Sequence, residues 1–246
     1  MTTITHNAPS FSLQPILAFA RAQLIGQIRN WRSTVPTLFT PLLLLVLFTL
    51  TGDEDAPGLV PFVVGFAVMF SGQTLAQILI TWRNNQVFTR LAATPTPTSH
   101  LLIGTVLTQV VIFVLQSLLV LILGLFLNNL RIDLLSVLGI VLVLILGCMT
   151  FLSFGALIAA FVKKVETASI VYTFVLLPAI FIGGSIFEIP GFVDLGRYLP
   201  PTLLTDLLNP LFGFGEVQDA VLRAAFLLGY SVVFTAIAAR FFRTID

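Results

Sequence analysis

The residues best able to do chemistry within the apolar part of this chain carry uncharged amides and hydroxyls. Gln73 and Gln77 are four positions apart and share a helical face, while Gln109 and Gln116 are seven apart and share another, with Thr105 nearby. These groups donate and accept hydrogen bonds, but they do not act as proton donors or bases near neutral pH. Their pattern therefore predicts packing or ligand binding and not catalysis.

Two interpretations of these five side chains stay open. They can join helices inside a bundle, where each hydrogen bond contributes about 0.6–2 kcal/mol. They can also line a translocation path for an amphipathic substrate. Gly147, Gly155 and Ala159 form a stripe of small residues, which predicts close helix packing and requires no further function.

Catalytic, nucleotide-binding and metal-binding patterns are absent from the sequence. The chain has no G-x-x-x-x-G-K-[ST], no Ser/His/Asp arrangement and no paired carboxylates. His6, His100 and Cys148 do not have the spacing of metal ligands. We therefore expect a chain that is not an enzyme and binds no cofactor or metal of its own.

The elements that hold these residues are predicted by the composition. The chain is 57% hydrophobic and 9% charged, and its mean hydropathy is +1.05. A soluble domain carries about 25% charged residues, so the sequence indicates an integral membrane protein surrounded by lipid. The few, scattered basic residues exclude a nucleic-acid partner.

Six apolar runs predict an all-α, polytopic membrane domain over residues 35–246, after an N-terminal region over residues 1–34. The predicted spans are residues 35–51, 59–81, 101–127, 134–162, 167–187 and 220–241. Their centres lack Asp, Glu, Lys, Arg and His, which ion-driven carriers and voltage sensors usually need at depth. A kink is expected at Pro178 in the fifth span.

Two further segments are too polar or too interrupted to span. Residues 11–31 have an apolar face at spacings of three and four, which predicts an amphipathic helix at the membrane interface. That face consists of Leu13, Ile16, Leu17, Ala20, Leu24, Ile28 and Trp31. Residues 188–219 are rich in Pro and Gly, and they predict a re-entrant hairpin of two short helices, near 191–199 and 202–208, at the outer leaflet.

A polar stretch, Trp82–His100, separates the second and third spans. Residues 84–93 contain neither Gly nor Pro and predict a short helix at the membrane surface. Pro95 and Pro97 end it, because proline cannot donate to the helical ladder. Such a helix can receive a push from a soluble partner and pass it to both adjoining spans.

The charges orient the predicted spans. Nine of the twelve basic residues fall on one side of the membrane, whereas only Arg131, Arg197 and Arg223 fall on the other. The positive-inside rule therefore predicts that both termini and the Trp82–His100 stretch are cytoplasmic.

Three stretches combine in an order found in one family. Arg83–Pro95 ends in Leu-x-x-Thr-Pro, and Gly155–Phe161 precedes a tight turn at Lys163–Glu166. Leu177–Pro201 contains Leu-Pro, Gly-Gly, Pro-Gly and a final Pro-Pro. In order and spacing these stretches resemble the membrane subunits of ABC type-2 exporters, which include permeases for drugs, lipo-oligosaccharides and polysaccharides.

The resemblance implies a permease in the bacterial inner membrane that works with two ATPase subunits and with a second copy of itself or a related permease. ATP and Mg would be bound by the ATPase partner. The helix after the second span would be the coupling helix that contacts this partner. In this chain its contact residues would be Arg83, Asn84, Asn85, Gln86, Phe88, Arg90 and Leu91. The family often has acidic residues near this point, whereas this chain has amides.

Three hypotheses follow for the function. The first is the transmembrane subunit of an ATP-driven exporter of a hydrophobic or amphipathic substrate. The second is an ion-gradient carrier or channel, which would need a charged site within the spans. The third is a membrane scaffold that transports nothing and uses its glutamines for packing alone. The sequence leaves the identity of the substrate, and the choice between homodimer and heterodimer, open.

Overall fold

Helices and the turns between them make up all of the described structure, a computed structural model. It describes residues 13–29, 31–50, 56–87, 98–183, 196–215 and 219–242. Its α-helices are α1 (Leu13–Arg29), α2 (Trp31–Leu50), α3 (Val60–Met69), α4 (Ser71–Asn84), α5 (Thr98–Leu127), α6 (Leu134–Phe161), α7 (Val165–Ile182), α8 (Pro200–Leu208) and α9 (Ala220–Phe242). These ranges contain no strand, which confirms the all-α prediction.

Five segments are long and apolar enough to cross a membrane. They are Val60–Asn84, His100–Leu127, Leu134–Phe161, Val165–Ile182 and Ala220–Phe241. The first predicted span, residues 35–51, falls in α2, whose apolar part, Thr37–Leu50, is shorter than these five. By length and composition the chain is a multi-pass membrane protein. The predicted boundary after residue 34 lies inside α2.

The second span differs from its prediction at one interior position and at its end. It is interrupted at Phe70 between α3 and α4, and α4 continues through Asn84 instead of ending at Thr81. The Asn85 N–H still donates to the Thr81 carbonyl oxygen at 2.9 Å. Gln86 then adopts a left-handed φ of 54°. The prediction of a surface helix beginning at Asn84 is therefore wrong at its start, because the spanning helix continues past its apolar part.

The remaining spans agree with their predictions to within a few residues. α5 begins at Thr98, α6 occupies the fourth predicted span, and α7 begins at Val165. Pro178 lies inside α7, and the kink expected there stays a prediction. Residues 184–187, predicted to end the fifth span, lie outside the described residues.

The segment before the last span contains a short, buried helix. α8 begins with Pro200 and Pro201, where a missing N–H breaks no helical hydrogen bond. This confirms the helix predicted near residues 202–208. Of the other predicted helix, residues 191–195 lie outside the described residues. Gly196 is helical, and residues 197–199 form a turn closed by a bond from the Leu199 N–H to the Gly196 oxygen at 3.0 Å.

α6 is the centre of the bundle, and α3, α4, α5, α7, α8 and α9 all pack against it. The bundle presents large apolar side chains outward, and the most exposed include Phe126, Leu134, Phe174 and Val221. Hydrocarbon is a suitable solvent for such a surface. The polar groups that could act on a ligand must therefore lie between helices or at the ends of the bundle.

The N-terminal helix α1 packs along the first turns of α5. Ile16 and Ala20 are buried there, and the side chain of Thr108 donates to the Ala20 carbonyl oxygen at 3.3 Å. Gly104 permits the approach, since a Cβ added to it would lie 3.2 Å from the Ile16 oxygen. Leu17 is exposed, so the predicted apolar face is only partly the buried one. The position of α1 at the membrane interface stays a prediction.

Candidate functional site

One end of the bundle collects basic side chains, and we call it the basic end. It includes the last turn of α4 with Arg83, the turn with Lys163 and Lys164, and the end of α9 with Arg240. The rings of Phe161 and Phe241, 4.5 Å apart, hold the ends of α6 and α9 together. Of the residues predicted to contact an ATPase, Arg83, Asn84, Asn85 and Gln86 belong to this end.

Arg83 joins the end of α4 to the end of α6. Its Nη1 donates to the carbonyl oxygen of Ala159 at 3.1 Å, and its Nη2 donates to that of Val162. The last carbonyls of a helix have no partner within the helix and carry partial negative charge. A planar guanidinium can donate to two of them at once. Arg83 therefore acts as a clamp between the second and fourth predicted spans.

The other predicted contact residues divide into two groups. Asn84 extends the clamp, because its Nδ2 donates to the carbonyl oxygen of Lys163 at 3.3 Å. Asn85 and Gln86 form the exposed turn after α4. The remaining contact residues, Phe88, Arg90 and Leu91, lie outside the described residues. An ATPase contact by any of the seven stays a prediction.

A cavity of about 420 Å³ lies between α1, α2, α4 and α5. Its wall consists of Gln27, Thr37, Thr74, Gln77, Ile78, Thr81, Trp82, Gln109, Ile112 and Phe113. Ligand sites in proteins commonly have volumes of about 300–1,000 Å³. The cavity is thus large enough for a small molecule or for the head of an amphiphile.

Most of the amides and hydroxyls predicted to form a polar stripe make hydrogen bonds within the bundle. Gln77 donates from Nε2 to Ser169 Oγ of α7 at 2.8 Å, and Gln116 donates to Thr37 Oγ1 of α2 at 3.3 Å. Thr105 donates to the Leu101 oxygen of its own helix at 2.9 Å. The packing interpretation therefore accounts for Gln77, Thr105 and the Nε2 of Gln116, whose buried Oε1 has no partner among the described residues.

Gln109 does not fit the packing interpretation. It is fully buried in α5, and neither Nε2 nor Oε1 has a hydrogen-bond partner among the described residues. Leaving a buried amide without partners costs about 1–3 kcal/mol. Gln109 and Gln77 both belong to the cavity wall, whereas Gln73, Thr105 and Gln116 do not. The structure thus brings two of the five predicted path residues to one cavity.

An aromatic pair lies at the end of the cavity near the basic end. Trp82 of α4 meets Phe19 of α1 with ring centroids 5.9 Å apart and planes at 75°. This edge-to-face arrangement favours contact between the two helices. Because Trp82 also lines the cavity, the N-terminal helix and the wall of the cavity are directly connected.

The sequence matches a family model over most of this bundle. Residues 14–204, from α1 through most of α8, match the ABC-2 type transporter family. The chain belongs to this family. ABC-2 permeases are generally non-catalytic transmembrane subunits that typically work with ATPase subunits. No curated protein shows significant similarity to the chain.

The sequence interpretation of this ABC-2 permease missed part of the cavity wall. Thr74, Gln77 and Thr81 are three and four positions apart and share one helical face. The two threonines could therefore have been found from the sequence by a search for hydroxyls around Gln77. The contributions of Gln27 and Thr37 could not be found this way, because they come from other helices. Among the described residues, no three His, Cys, Asp or Glu side chains lie together as a metal site.

Proposed function

We propose that this chain is the permease subunit of an ATP-driven exporter that moves a hydrophobic or amphipathic substrate outward across the bacterial inner membrane. A separate ATPase subunit binds ATP and Mg and supplies the energy. The working complex contains two ATPase subunits and two permeases, either two copies of this chain or one copy and a related chain. The family match over residues 14–204 is the observation that carries this proposal.

The arrangement of the basic end supports the proposed coupling to an ATPase. The positive-inside rule makes this end cytoplasmic, where an ATPase would bind. Arg83 and Asn84 fix the end of α4 to α6 and to the turn after it. A displacement of the segment that follows Asn84 would therefore move the ends of α4 and α6 together. Residues 85–97 form the coupling segment in this proposal.

We also propose that α2 crosses the membrane, which brings the number of spans to six and places both termini in the cytoplasm. α2 has 20 residues, which at 1.5 Å per residue reach about 30 Å, the thickness of the hydrocarbon core. α8 and the chain around it form a hairpin that enters the bundle from the outer side. Gln77 and Gln109 mark the inner part of the translocation path.

Substitution of two apolar residues of the coupling segment by alanine tests the proposal. Phe88 and Leu91 are three positions apart and would share one face of a coupling helix. Phe88→Ala with Leu91→Ala should lower recovery of the ATPase that we expect to be encoded next to this chain, by at least tenfold in a pull-down from mild detergent. ATP-dependent export should fall in parallel.

A matched pair of substitutions at the other end of the bundle serves as the control. Leu134→Ala with Leu138→Ala removes similar apolar area from two exposed positions of α6 and should leave ATPase recovery unchanged. Size-exclusion profiles of all variants show whether the bundle is intact. Normal ATPase binding and export by the Phe88 and Leu91 variant would show that the segment is only a connector.

A further inference from the structure

The cavity between α1, α2, α4 and α5 has an uncharged wall. It presents amides and hydroxyls, an indole, and the apolar side chains of Ile78, Ile112 and Phe113. No Asp, Glu, Lys, Arg or His belongs to the described wall. A charged ligand group would lose its hydration there without gaining a counter-ion, which is costly. A ligand for this site is therefore uncharged where it is buried.

The cavity extends from the basic end into the bundle. Thr81 and Trp82 lie in the last turn of α4, and Thr74 lies seven residues earlier, about 10 Å deeper along the helix. Gln109 lies eleven residues into α5. The wall thus combines polar groups at the membrane surface with polar and apolar groups at depth. This combination fits an amphiphile better than a molecule that is polar throughout.

Gln109 provides an independent sign of a ligand. Its amide can donate two hydrogen bonds and accept two, yet it makes none with the described residues. The other glutamine of the cavity wall on a predicted span, Gln77, is already bonded to Ser169. A ligand that both donates and accepts, as hydroxyl and amide groups do, can satisfy Gln109.

We propose that this cavity binds the uncharged, hydroxyl- or amide-bearing headgroup of an amphiphile, with Gln109 as its buried hydrogen-bonding residue. The headgroup enters from the basic end, past the Trp82–Phe19 pair. This inference rests on the proposed function and names the class of substrate for that path. It also makes Gln109 a specificity-determining residue, because a hydroxyl- or amide-bearing headgroup supplies the hydrogen bonds that the Gln109 amide lacks in the empty cavity.

Trp82 allows binding to be measured directly. The chain has two tryptophans, so Trp31→Phe leaves Trp82 as the single reporter in the cavity wall. The purified full chain in phosphatidylcholine nanodiscs is titrated with decyl maltoside below its micelle concentration, with fluorescence as the readout. Decyl sulfate and decyltrimethylammonium have the same alkyl chain with a charged head. We expect a saturable change with the maltoside and none with the charged amphiphiles.

Two substitutions of the same kind separate ligand binding from packing. Gln109→Leu should weaken maltoside binding about tenfold, as expected for loss of hydrogen bonds to a buried partner. It should also raise the Tm by about 2–4 °C, because an unsatisfied amide is removed. Gln73→Leu, on α4 but outside the cavity wall, should leave binding unchanged. A purely structural glutamine would instead lower the Tm when replaced.

Three outcomes would overturn the inference. Equal binding of decyl sulfate would show an unselective apolar groove, and unchanged binding by Gln109→Leu would remove that residue from the site. Absence of saturable binding, in a chain that still recovers its ATPase, would overturn the inference while leaving the proposed function intact. Saturable binding by a chain that recovers no ATPase would support the inference and overturn the proposed function.

Discussion

Arg83 joins the end of α4 to the end of α6, and Asn84 adds one hydrogen bond to the turn after α6. Arg83 lies where the apolar part of α4 has ended, and its two donor nitrogens reach carbonyl oxygens 76 and 79 positions later in the chain. Lysine has the same charge, but its single ammonium cannot reproduce the planar fork. The residue type at this position is therefore as important as the charge.

Substitution of Arg83 distinguishes a clamp from a direct ATPase contact. If Arg83 acts only through α6, Arg83→Ala should keep ATPase affinity within about twofold, while transport per ATP hydrolysed falls. The Tm should also fall, by an amount consistent with loss of charged hydrogen bonds of about 1.5–3 kcal/mol. Binding assays and coupled transport assays in proteoliposomes measure these quantities. Arg83→Lys should recover less than half of the lost coupling.

Arg90→Ala is the comparison for this experiment, because Arg90 is also predicted to contact the ATPase and lies in the coupling segment. We expect it to weaken ATPase binding without lowering the Tm. If Arg83→Ala weakens ATPase binding as strongly as Arg90→Ala does, Arg83 contacts the partner and the clamp is secondary.

The sequence singled out the stretch that contains Arg83 but did not predict what Arg83 contacts. The polar residues after the second span stand out because they end an apolar run. The carbonyls that Arg83 reaches are distant in the chain and have no side-chain signature, so nothing in the sequence predicts this contact. Likewise, four amides are visible as a pattern, but only packing shows that Gln109 lacks the partners that Gln77 and Gln116 have.

At the scale of elements, α4 and α6 cross with their backbones in contact. A Cβ added to Gly155 would overlap the carbonyl oxygen of Gly72, and one added to Gly72 would overlap the carbonyl oxygen of Phe151. Tyr172 of α7 donates its hydroxyl to the Met69 oxygen, next to the interruption between α3 and α4. The crossing and the Arg83 clamp together attach both ends of α4 to neighbouring helices.

Adding one methyl group at this crossing should destabilise the bundle. Gly155→Ala forces two backbones apart, and we expect a loss of about 3 kcal/mol or more, since overpacking usually costs 1–3 kcal/mol even where side chains can yield. Thermal unfolding of the purified chain in detergent measures the effect.

Gly229→Ala is the matched control, because nothing lies within 4 Å of its added Cβ in α9. It should be neutral or stabilising by up to about 1 kcal/mol, since alanine favours helix more than glycine does. Equal Tm values for the two variants would show that α4 and α6 do not touch here. The small-residue stripe predicted from the sequence included Gly155, but its partner Gly72 was not predicted.

The five spans of the structure were predictable because each is a long apolar run, and polarity locates most of their ends. The predictions failed where a contact extends or interrupts a helix, as at Asn84 and at Phe70. α8 was predictable from Pro200 and Pro201, which favour a helix start. Its burial was not, because the sequence does not show which groove a short helix fills.

At the scale of the molecule, the bundle has an apolar outer surface between two polar ends. Arg83, Lys164 and Arg240 belong to the basic end, while Arg131 and the ion pair between Arg223 and Asp206 belong to the other. The ion pair joins α8 to α9. This distribution predicts which end faces the cytoplasm.

Labelling of added cysteines tests that orientation. The natural thiol, Cys148, is fully buried and should not react. Arg131→Cys should react with a membrane-impermeant maleimide on spheroplasts, whose outer membrane has been removed. Lys164→Cys should react only after the inner membrane is permeabilised. Both positions are exposed.

The unsubstituted chain controls for Cys148 in this experiment, and detergent-solubilised protein shows that both added thiols are reactive. The opposite labelling pattern would place the basic end outside. It would also exclude a cytoplasmic ATPase contact through residues 85–97.

α8 also has a consequence for how the chain is made. Leu204 lies against Gly147 of α6, with its Cδ1 2.6 Å from an added Cβ, and Leu208 lies against Gly65 of α3. The groove is complete only once Gly147 has been made, and at about 5–20 residues per second roughly 3–11 s of synthesis separate Gly147 from Leu204. During this interval the groove that receives α8 exists without its occupant. The nascent chain therefore cannot reach its final packing before the ribosome has passed residue 208, and a chain released earlier presents an open groove to membrane quality-control proteases.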